Sequence, residues 1–395
     1  MTVEQAIAAL LAMAQAQRLQ DSESVLLSDA RQRVLASDLV ATLDLPPWPN
    51  SAMDGYALSL DDWQGQPLVV SQQIFAGVAP KALQPGTCAR IFTGAPMPAG
   101  ANCVEMQENV EVLADASVRF TQALRVGQNI RPQGQENHAG QVVLAAGKRL
   151  GPFELAIAAA QGCTHVHVVR RPRVALLSTG DELAEPGTPL KPGCIYNSNR
   201  TLLSHWLSAL GCEVIDGGSL PDQPHLTRLK LEQLQQGVDL ILTTGGVSAG
   251  DGDCLGQVLR ECGQALFWKL AIKPGKPLTV GYFGSVPVIG LPGNPTAALV
   301  TFGLLARAYL LRIQGVEAVT PLSFAVTAGF DWPKAGNRRE YLRARLEEGR
   351  AVLYPNQSSG VLLGASWADG LVEIAEGCSL QAGDTARFIP FGELF

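Results

Sequence analysis

Four short loops of the sequence combine residue types that bind phosphates, divalent cations and oxyanions. In chain order they read "STGDEL" (178–183), "TTGGVSAGDGD" (243–253), "KPGKP" (273–277) and "LPGNP" (291–295). Glycine leaves backbone N–H groups open to a phosphate, and carboxylates beside phosphates commonly bind Mg²⁺ together with substrate oxygens. Two lysines braced by prolines suit a small anion. The loops therefore indicate a site for a phosphorylated ligand, a metal ion and an anion.

Each of these loops also has a purely structural interpretation. A Gly-Gly pair after a strand is often a tight turn, a Ser-Thr-Gly-Asp stretch can cap a helix, and paired lysines are usually solvated. The fourth loop fits a strand-to-helix turn with Pro295 at the first helical position. Their co-occurrence favours ligand binding, because ligands of parallel sheets bind beyond the carboxyl ends of the strands.

The elements that must position these loops follow from hydrophobic periodicity. From Val174 onward, buried strands alternate with amphipathic helices, which predicts a parallel α/β sheet. One of these helices is predicted to be capped by Asn199 and ended by Gly211. Every loop with candidate chemistry follows a predicted strand of this region.

The flanking segments have a different texture. Residues 2–20 predict an amphipathic helix, and residues 46–140 alternate short β-type runs with Gly/Pro turns, which is typical of an all-β module. Residues 151–162 predict a helix ended by Gly162. After about residue 318 the chain returns to short strands, which indicates a separate small β domain.

Composition restricts the class of protein. The 395 residues carry a net charge of −6, which argues against nucleic-acid binding, and none of the eight cysteines forms a CxxC pair. Neither a Walker A motif nor GxGxxG occurs. The N-terminus lacks the features of a secretory signal, and the longest apolar stretch, 297–311, is shorter than the ~20 residues of a membrane span. We expect a cytoplasmic protein with reduced thiols and no membrane partner.

A stiff segment before the β module presents a single acid. The stretch "PPWPNSAMDGYAL" (46–58) places three prolines and a tryptophan before a polar cluster centred on Asp54. Asp-Gly is a strong hairpin signal, so Asp54 can be a simple turn residue. It can equally be an acid held out by a rigid arm, and local sequence leaves both interpretations open.

Seven motifs in fixed order resemble one family. They are "NSAMDGYA", "RIFTGAPMP", "LLSTGDEL", "IYNSNR", "TTGGVSAGDGD", "KPGKP" and "LPGNP". Together they resemble the molybdopterin molybdenumtransferase family of the MoeA type, which is also similar to the C-terminal part of gephyrin. The resemblance runs from about residue 2 to 315 and continues more weakly to the end.

The resemblance implies an activity and an architecture. Members convert adenylyl-molybdopterin and molybdate into molybdenum cofactor and AMP with Mg²⁺, as homodimers whose active site is shared between subunits. The upstream adenylyltransferase and acceptor apoenzymes are possible partners. The implied fold is multidomain, with an α/β domain like that of the molybdopterin adenylyltransferases and a C-terminal β-barrel-like domain. The domain bounds are 21–45 with 141–170 (linker), 46–140 (inserted β module), 2–20 with 171–317 (α/β) and 318–395 (C-terminal β).

The resemblance also implies roles for individual residues. The catalytic set is Asp54, Thr93, Glu136, Glu182, Asp222 and Asp253. The metal ligands among them are Glu182, Asp222 and Asp253. The substrate-binding set is Ser51, Gly245, Gly246, Ser248, Lys269, Lys273, Lys276, Pro292, Pro295, Arg338 and Ser359. Of these, Lys273, Lys276, Arg338 and Ser359 are expected to hold molybdate.

Two positions depart from the family pattern, and two other functions stay open. Glu136 stands where an aspartate is usual, so its carboxylate reaches one methylene further, and Glu105 stands where an apolar residue is common. The α/β domain alone would also fit a molybdopterin adenylyltransferase. A dimeric scaffold that has lost catalysis is the second alternative, although the complete set of acids and lysines argues against it.

Overall fold

The protein is described by a computed structural model covering residues 1–61, 63–247 and 253–395. Helix α1 (Val3–Ala16) opens the chain, and it begins with the capping box that Thr2 and Gln5 predict. The Thr2 hydroxyl accepts from the Gln5 N–H at 3.2 Å, and the Gln5 side chain accepts from the Thr2 N–H at 3.0 Å. Its inward face, including the fully buried Leu10, joins the largest hydrophobic core.

Short strands dominate residues 46–140, as the sequence predicts, and they also occur on either side of that stretch. In chain order they are β1 (Ser22–Leu26), β2 (Leu39–Val40), β3 (Asn50–Ser51), β4 (Gly55–Leu58), β5 (Val69–Ile74), β6 (Thr87–Ile91), β7 (Cys103–Met106), β8 (Val110–Val112), β9 (Val118–Phe120), β10 (Ile130–Arg131) and β11 (Val142–Leu144). A four-stranded sheet in the order β5-β6-β4-β7 forms the centre. Helix α2 (Pro152–Ala160) follows, and Gly162 adopts φ +78° just beyond it.

The middle of the chain forms the α/β region. The strands between residues 165 and 291 are β12 (His165–Val169), which pairs with β1, β13 (Arg173–Thr179), β14 (Leu183–Ala184), β15 (Ile195–Tyr196), β16 (Glu213–Leu220), β17 (Leu240–Thr244), β18 (Gln264–Lys269), β19 (Ile272–Lys273), β20 (Pro277–Phe283) and β21 (Val286–Leu291). Its helices are α3 (Ser198–Ala209), α4 (Pro224–Leu234), α5 (Cys254–Cys262), α6 (Pro295–Thr301) and α7 (Arg307–Ile313), the last two joined by a π-helical turn, Phe302–Ala306.

The central sheet is mixed rather than purely parallel. Its order is β16-β13-β17-β21-β20-β18, and the first four strands are parallel, whereas β20 and β18 are antiparallel to their neighbours. Only residues 284–285 separate β20 from β21, and Gly284 takes φ +58° there. So short a connection can only join antiparallel strands. Strands β13, β17 and β21 end at one edge, so three of the candidate loops emerge together.

Two local predictions have different outcomes in the helices. Helix α3 is capped by Asn197, whose side chain accepts from the Arg200 N–H at 3.1 Å, so the prediction that Asn199 is the cap is wrong. Pro295 does occupy the first turn of α6.

The segment Pro295–Ile313 is long and apolar enough to cross a membrane, but 94% of it is buried inside the fold. It is therefore the core helix of this region.

The C-terminal segment closes into a small barrel. Its elements are β22 (Phe324–Ala328), β23 (Arg339–Glu347), β24 (Arg350–Leu353), α8 (Leu363–Trp367), β25 (Gly370–Ile374) and β26 (Thr385–Pro390). The strand order is β23-β24-β22-β26-β25, and pairing of β23 with β25 closes the sheet. Strand β19 adds in parallel to β23, with Ile272 opposite Arg339 and Lys273 opposite Glu340. This pairing fixes the "KPGKP" loop beside the barrel.

The chain divides into two compact units. One comprises residues 1–37, 146–152 and 165–395, and the other comprises residues 38–145 and 153–164. The first unit contains both the α/β region and the C-terminal barrel. The four domain boundaries drawn from the sequence stay a prediction.

Candidate functional site

An acidic, glycine-lined cleft lies at the carboxyl edge of the sheet. Its volume is about 590 Å³. The predicted residues that line it are Glu182, Asp222, Gly245, Gly246, Pro292 and Pro295. Four parallel strands position these residues, because the loops after β16, β13, β17 and β21 leave the sheet at the same edge. The cleft therefore brings together most of the residues predicted to bind phosphate and metal.

Asp222 is the acid of this cleft in the least favourable electrostatic environment. Its backbone N–H donates to Asp181 Oδ1 at 3.2 Å, while its own Oδ1 is buried without a hydrogen-bond partner. Burial, and then the charges of Glu182 and Asp181, raise the pKa of the Asp222 carboxyl. A buried, unpaired carboxylate oxygen beside like charges is stabilised by a cation. Glu182 and Asp222 therefore fit a Mg²⁺ ion bound mainly through substrate oxygens.

Asp253, the third predicted metal ligand, lies at the start of α5. It is the N-cap of α5, where one carboxylate oxygen accepts from the Gly256 N–H at 3.0 Å and the other pairs with Arg260 at 3.2 Å. Both oxygens are therefore engaged within the helix. Among residues 1–61, 63–247 and 253–395, no group of three His, Cys, Asp or Glu side chains is placed to hold a metal ion. The role of Asp253 as a third ligand stays a prediction.

The glycine pair after β17 is required by close packing. A Cβ on Gly245 would lie 2.0 Å from the Thr179 carbonyl oxygen, and one on Gly246 would lie 2.4 Å from Thr179 Oγ1. Both glycines also take positive φ, +88° and +63°. The Gly245 N–H donates to the Leu291 carbonyl at 3.1 Å, so this amide is not open to a phosphate as predicted. Ser248 lies outside the described residues.

A second, basic pocket adjoins the acidic cleft. Its volume is about 580 Å³, and the predicted residues that line it are Lys273, Lys276, Pro292, Arg338 and Ser359. Thus all four residues expected to hold molybdate line one pocket. The Arg338 guanidinium is anchored by a long hydrogen bond of 3.4 Å to the Ile272 carbonyl. Lys276 has no acidic partner in the described part of the chain.

Lys273 is already neutralised within this pocket. Its ammonium lies 3.0 Å from Glu340 Oε2 and 5.8 Å from the centre of the Trp332 ring. Glu340 is 6% exposed, whereas the Lys273 side chain is half exposed. Sequence reasoning missed both Glu340 and Trp332, because they come from the C-terminal segment, far from Lys273 in sequence. The pairing of β19 with β23 places Glu340 opposite Lys273.

The two clefts share a wall. Pro277, Pro292 and Asn294 line both of them. Asn199 supports this wall from behind, since its side-chain amide donates to the Gly293 carbonyl at 2.7 Å and to Thr244 Oγ1 at 2.9 Å. The motif "IYNSNR" signalled Asn199, but as a helix cap rather than as a support.

The acid of the stiff arm lies in the other unit. Asp54 Oδ1 accepts hydrogen bonds from both the N–H and the hydroxyl of Thr93, each at 2.7 Å. These two donors, the N–H first, hold the pKa of Asp54 below its ordinary value, and Arg90 adds to the effect. The structure thus joins Asp54 to Thr93, two residues that the sequence places in one site.

Three other predicted residues line neither cleft. Ser51 is fully buried, and its hydroxyl donates to the Met53 carbonyl at 2.6 Å. Glu136 is exposed, and Lys269 is exposed at the end of β18, outside the lining of either cleft. Their predicted roles stay predictions. Glu105 is buried, and its carboxylate accepts from Asn109 and Gln128 at 2.8 and 2.7 Å, so amide side chains satisfy it.

The fold and its clefts define a multidomain, MoeA-like protein. Family models match three successive regions: "MoeA N-terminal region (domain I and II)" over residues 1–162, "Probable molybdopterin binding domain" over 175–312 and "MoeA C-terminal region (domain IV)" over 325–391. A solved structure of the molybdopterin biosynthesis MoeA protein from Pyrococcus horikoshii OT3 superimposes with a TM-score of 0.84 at 29% identity, covering 98% of this chain and 99% of that one.

Curated relatives identify the family. The chain is 37% identical over 382 residues to the molybdopterin molybdenumtransferase of Haemophilus influenzae, covering 94% of this chain and 95% of the relative. It is 36% identical to the protein of the same name from a Nostoc species, covering 95% and 86% of the two chains. The chain belongs to the molybdopterin molybdenumtransferase family.

Proposed function

We propose that this protein is a molybdopterin molybdotransferase of molybdenum cofactor biosynthesis. It takes adenylyl-molybdopterin and molybdate and releases molybdenum cofactor and AMP. The observation that carries this proposal is the pair of adjoining clefts with opposite charge and a common wall. A nucleotide-linked diphosphate needs a cation-binding surface, and an oxyanion needs a basic pocket beside it.

The acidic cleft is assigned to the phosphoanhydride. Glu182 and Asp222 would hold Mg²⁺, with Asp253 as a further candidate, and the bound ion supplies charge neutralisation to the phosphate oxygens. Gly246 lines this cleft, and its N–H, which has no acceptor in the described part of the chain, would donate to a phosphate oxygen. The chain's own contribution is to orient the phosphoanhydride and limit its movement.

The basic pocket is assigned to molybdate. Lys276 and Arg338 provide charge, Ser359 provides a hydroxyl donor, and Lys273 is held in place by Glu340. The shared wall keeps the oxyanion next to the nucleotide. Proximity and orientation of this kind can supply roughly 7–11 kcal/mol of a reaction barrier.

Release of AMP tests this proposal. Purified protein is incubated with adenylyl-molybdopterin and Mg²⁺, with and without molybdate, and AMP is quantified. We expect AMP release that depends on molybdate and on Mg²⁺. Molybdate-independent release, or none at all, would contradict the proposed reaction.

The adenylyltransferase alternative is decided by a second incubation. The α/β region matches a molybdopterin-binding domain, which would also suit transfer of AMP from ATP to molybdopterin. With Mg-ATP and molybdopterin as substrates, we expect no adenylyl-molybdopterin to form. Its formation would support the alternative. A protein that binds adenylyl-molybdopterin but turns over neither substrate pair would instead be a scaffold.

We further propose a cytoplasmic homodimer in which Asp54 completes the active site of the partner subunit. The upstream adenylyltransferase and acceptor apoenzymes are its expected partners. Asp54→Asn and Asp253→Asn homodimers are each expected to be inactive. Unfolding and re-pairing them yields about half mixed dimers, each with one intact site, so roughly a quarter of wild-type activity returns. A re-paired, dimeric but inactive sample would rule out the shared site.

A further inference from the structure

Arg343 is a buried cation without an acidic partner in the described part of the chain. It lies in β23 and is 1% exposed. Its guanidinium donates instead to four oxygens: Thr296 Oγ1 at 3.1 Å and the carbonyls of Val361, Asn356 and Ser358 at 2.6, 2.9 and 3.0 Å. Burying a charge is costly, and charge-assisted hydrogen bonds of this kind offset the cost.

These contacts fix one segment of chain, residues 356–361, which we call the serine loop. Three of the four acceptors belong to it. The fourth, Thr296, ties the loop to the start of α6, because its N–H donates to the Ser359 carbonyl and its hydroxyl donates to the Val361 carbonyl, both at 3.0 Å. The Gln357 side chain adds a bond from the Arg343 N–H at 3.0 Å. Arg343 and Thr296 therefore hold the loop from behind, and Arg343 makes most of the contacts.

The direction of the carbonyls determines the direction of the amides. In a trans peptide the C=O and the following N–H point in opposite directions. Because the carbonyls of Asn356 and Ser358 point at Arg343, the N–H groups of Gln357 and Ser359 point away from it. Both residues line the basic pocket, and neither N–H has an acceptor in the described part of the chain.

We propose that Arg343 is a positioning residue of the oxyanion pocket. It turns the serine loop so that the Gln357 and Ser359 amides donate to the oxyanion, and it places a positive charge behind them. Successive backbone N–H groups in a fixed turn form anion-binding concavities. The assignment of this pocket to molybdate rests on the proposed function.

Arg343→Met and a matched control test this inference. Arg307 in α7 is also buried, at 8% exposed, and donates to a backbone carbonyl, that of Val319, at 2.8 Å. It lines neither cleft. Arg343→Met and Arg307→Met therefore both remove a buried guanidinium, and both are expected to lower the melting temperature. Only Arg343→Met should also weaken the binding of molybdate.

The expected effect is a change in the molybdate concentration that gives half-maximal activity, the half-saturating molybdate concentration. Residues that orient ligand-binding groups typically contribute roughly 10–100-fold to affinity. We expect a rise in this range for Arg343→Met, with the half-saturating adenylyl-molybdopterin concentration and kcat at saturating molybdate little changed. Arg307→Met should leave all three values at the wild-type level. Arg343→Lys, which keeps the charge but reaches fewer carbonyls, should be intermediate and serves if the methionine variant fails to fold.

Equilibrium dialysis with molybdate alone provides a readout that does not depend on turnover. Weaker molybdate binding by Arg343→Met or Arg343→Lys than by Arg307→Met supports the inference, even if AMP release fails and the proposed reaction is wrong. Equal binding by the folded Arg343 and Arg307 variants would overturn it. So would an equal rise in the half-saturating concentrations of both substrates, since that indicates a general loss of structure.

Discussion

The acidic cleft and the basic pocket are nearly equal in volume, about 590 and 580 Å³, yet they balance their charges in opposite ways. In the acidic cleft Asp222 faces Glu182 and Asp181, and one of its oxygens is buried without a partner. In the basic pocket Lys273 is paired with the buried Glu340. One cleft therefore holds uncompensated like charge, whereas the other is partly neutralised by the fold itself.

This difference distinguishes charged residues that need a bound ligand to balance their charge from charged residues that the protein itself neutralises. An unpaired buried acid destabilises the protein until a cation binds. A lysine paired with a buried acid contributes to the stability of the fold, and it attracts an incoming anion less strongly than an unpaired lysine does. The same residue type can thus serve binding at one position and folding at another, and substitutions should tell the two apart.

The largest effect is expected for Asp222→Asn. Losing this carboxylate should lower Mg²⁺-dependent AMP release by about 10²-fold or more, as for other electrostatic contacts to a reacting group. The metal-free melting temperature should rise, because repulsion from Glu182 and Asp181 is relieved. Quantified AMP release measures the first effect, and calorimetry with and without Mg²⁺ measures the second. A lower melting temperature with full activity would show that Asp222 is a structural acid.

Asp115→Asn is the matched control for that substitution. Asp115 accepts hydrogen bonds from the Ser117 N–H and hydroxyl at 3.0 and 2.7 Å, and these bonds lower its pKa. It lines neither cleft. The asparagine variant is therefore expected to lose stability and to keep its activity, the reverse of Asp222→Asn.

Lys276→Ala is expected to have the next largest effect. A charge-assisted contact to an anion is worth about 1.5–3 kcal/mol, so half-saturating molybdate should rise ~10- to 150-fold. Stability should not change, because Lys276 has no acidic partner among the described residues. Steady-state kinetics and thermal melts measure the two quantities. Weaker adenylyl-molybdopterin binding at unchanged molybdate dependence would place Lys276 at the phosphates instead.

Glu340→Gln should produce a smaller change in the opposite direction. Removing the acid frees Lys273 and takes a negative charge out of an anion pocket, so half-saturating molybdate should fall severalfold. The melting temperature should also fall, because the ion pair to a buried partner is lost. If half-saturating molybdate rises, the pairing of Lys273 with Glu340 is required for its binding geometry.

The smallest effect is expected for Thr93→Val. This substitution tests why the pKa of Asp54 is lowered, whereas that of Asp222 is raised. Thr93 lowers the pKa of Asp54, so the stability this acid contributes is present above its unfolded pKa and is lost as pH falls through the folded value. Removal of one of the two donors should raise the pKa of Asp54 and move this loss to higher pH. NMR titration of the carboxyl measures it. An unchanged pKa would show that the Thr93 N–H alone sets it.

Much of the fold could be predicted because the relevant signals are local. The capping box at Thr2 and Gln5, the glycine after α2 and the first-turn Pro295 each depend on a few neighbouring residues. The direction of β20 was missed, although the two-residue connection at Gly284 requires it. Asn197 and Asn199 both precede a helix-like pattern, and only tertiary contacts with Thr244 and Gly293 determine which of them caps α3.

The site could be predicted where its residues sit in distinctive loops and not where distant segments meet. The motif "KPGKP" indicates an anion site, but the partner of Lys273 comes from β23, 67 residues later. Arg343 was not predicted as a site residue, because its role depends on contacts with Thr296 and the serine loop that only the folded chain creates. The resemblance implies a metal role for Asp253, which stays a prediction, and the structure adds that this residue caps α5.

The wall of Pro277, Pro292 and Asn294 gives the two clefts a thermodynamic connection. If a bound oxyanion shifts this wall, the affinity of the neighbouring cleft for a nucleotide changes. A bound nucleotide then changes the affinity for the oxyanion by the same factor. Measuring nucleotide affinity with and without molybdate therefore also measures how the nucleotide alters molybdate affinity. If that factor exceeds one, either substrate prepares the site for the other, and their order of arrival is set by concentration rather than by a compulsory sequence.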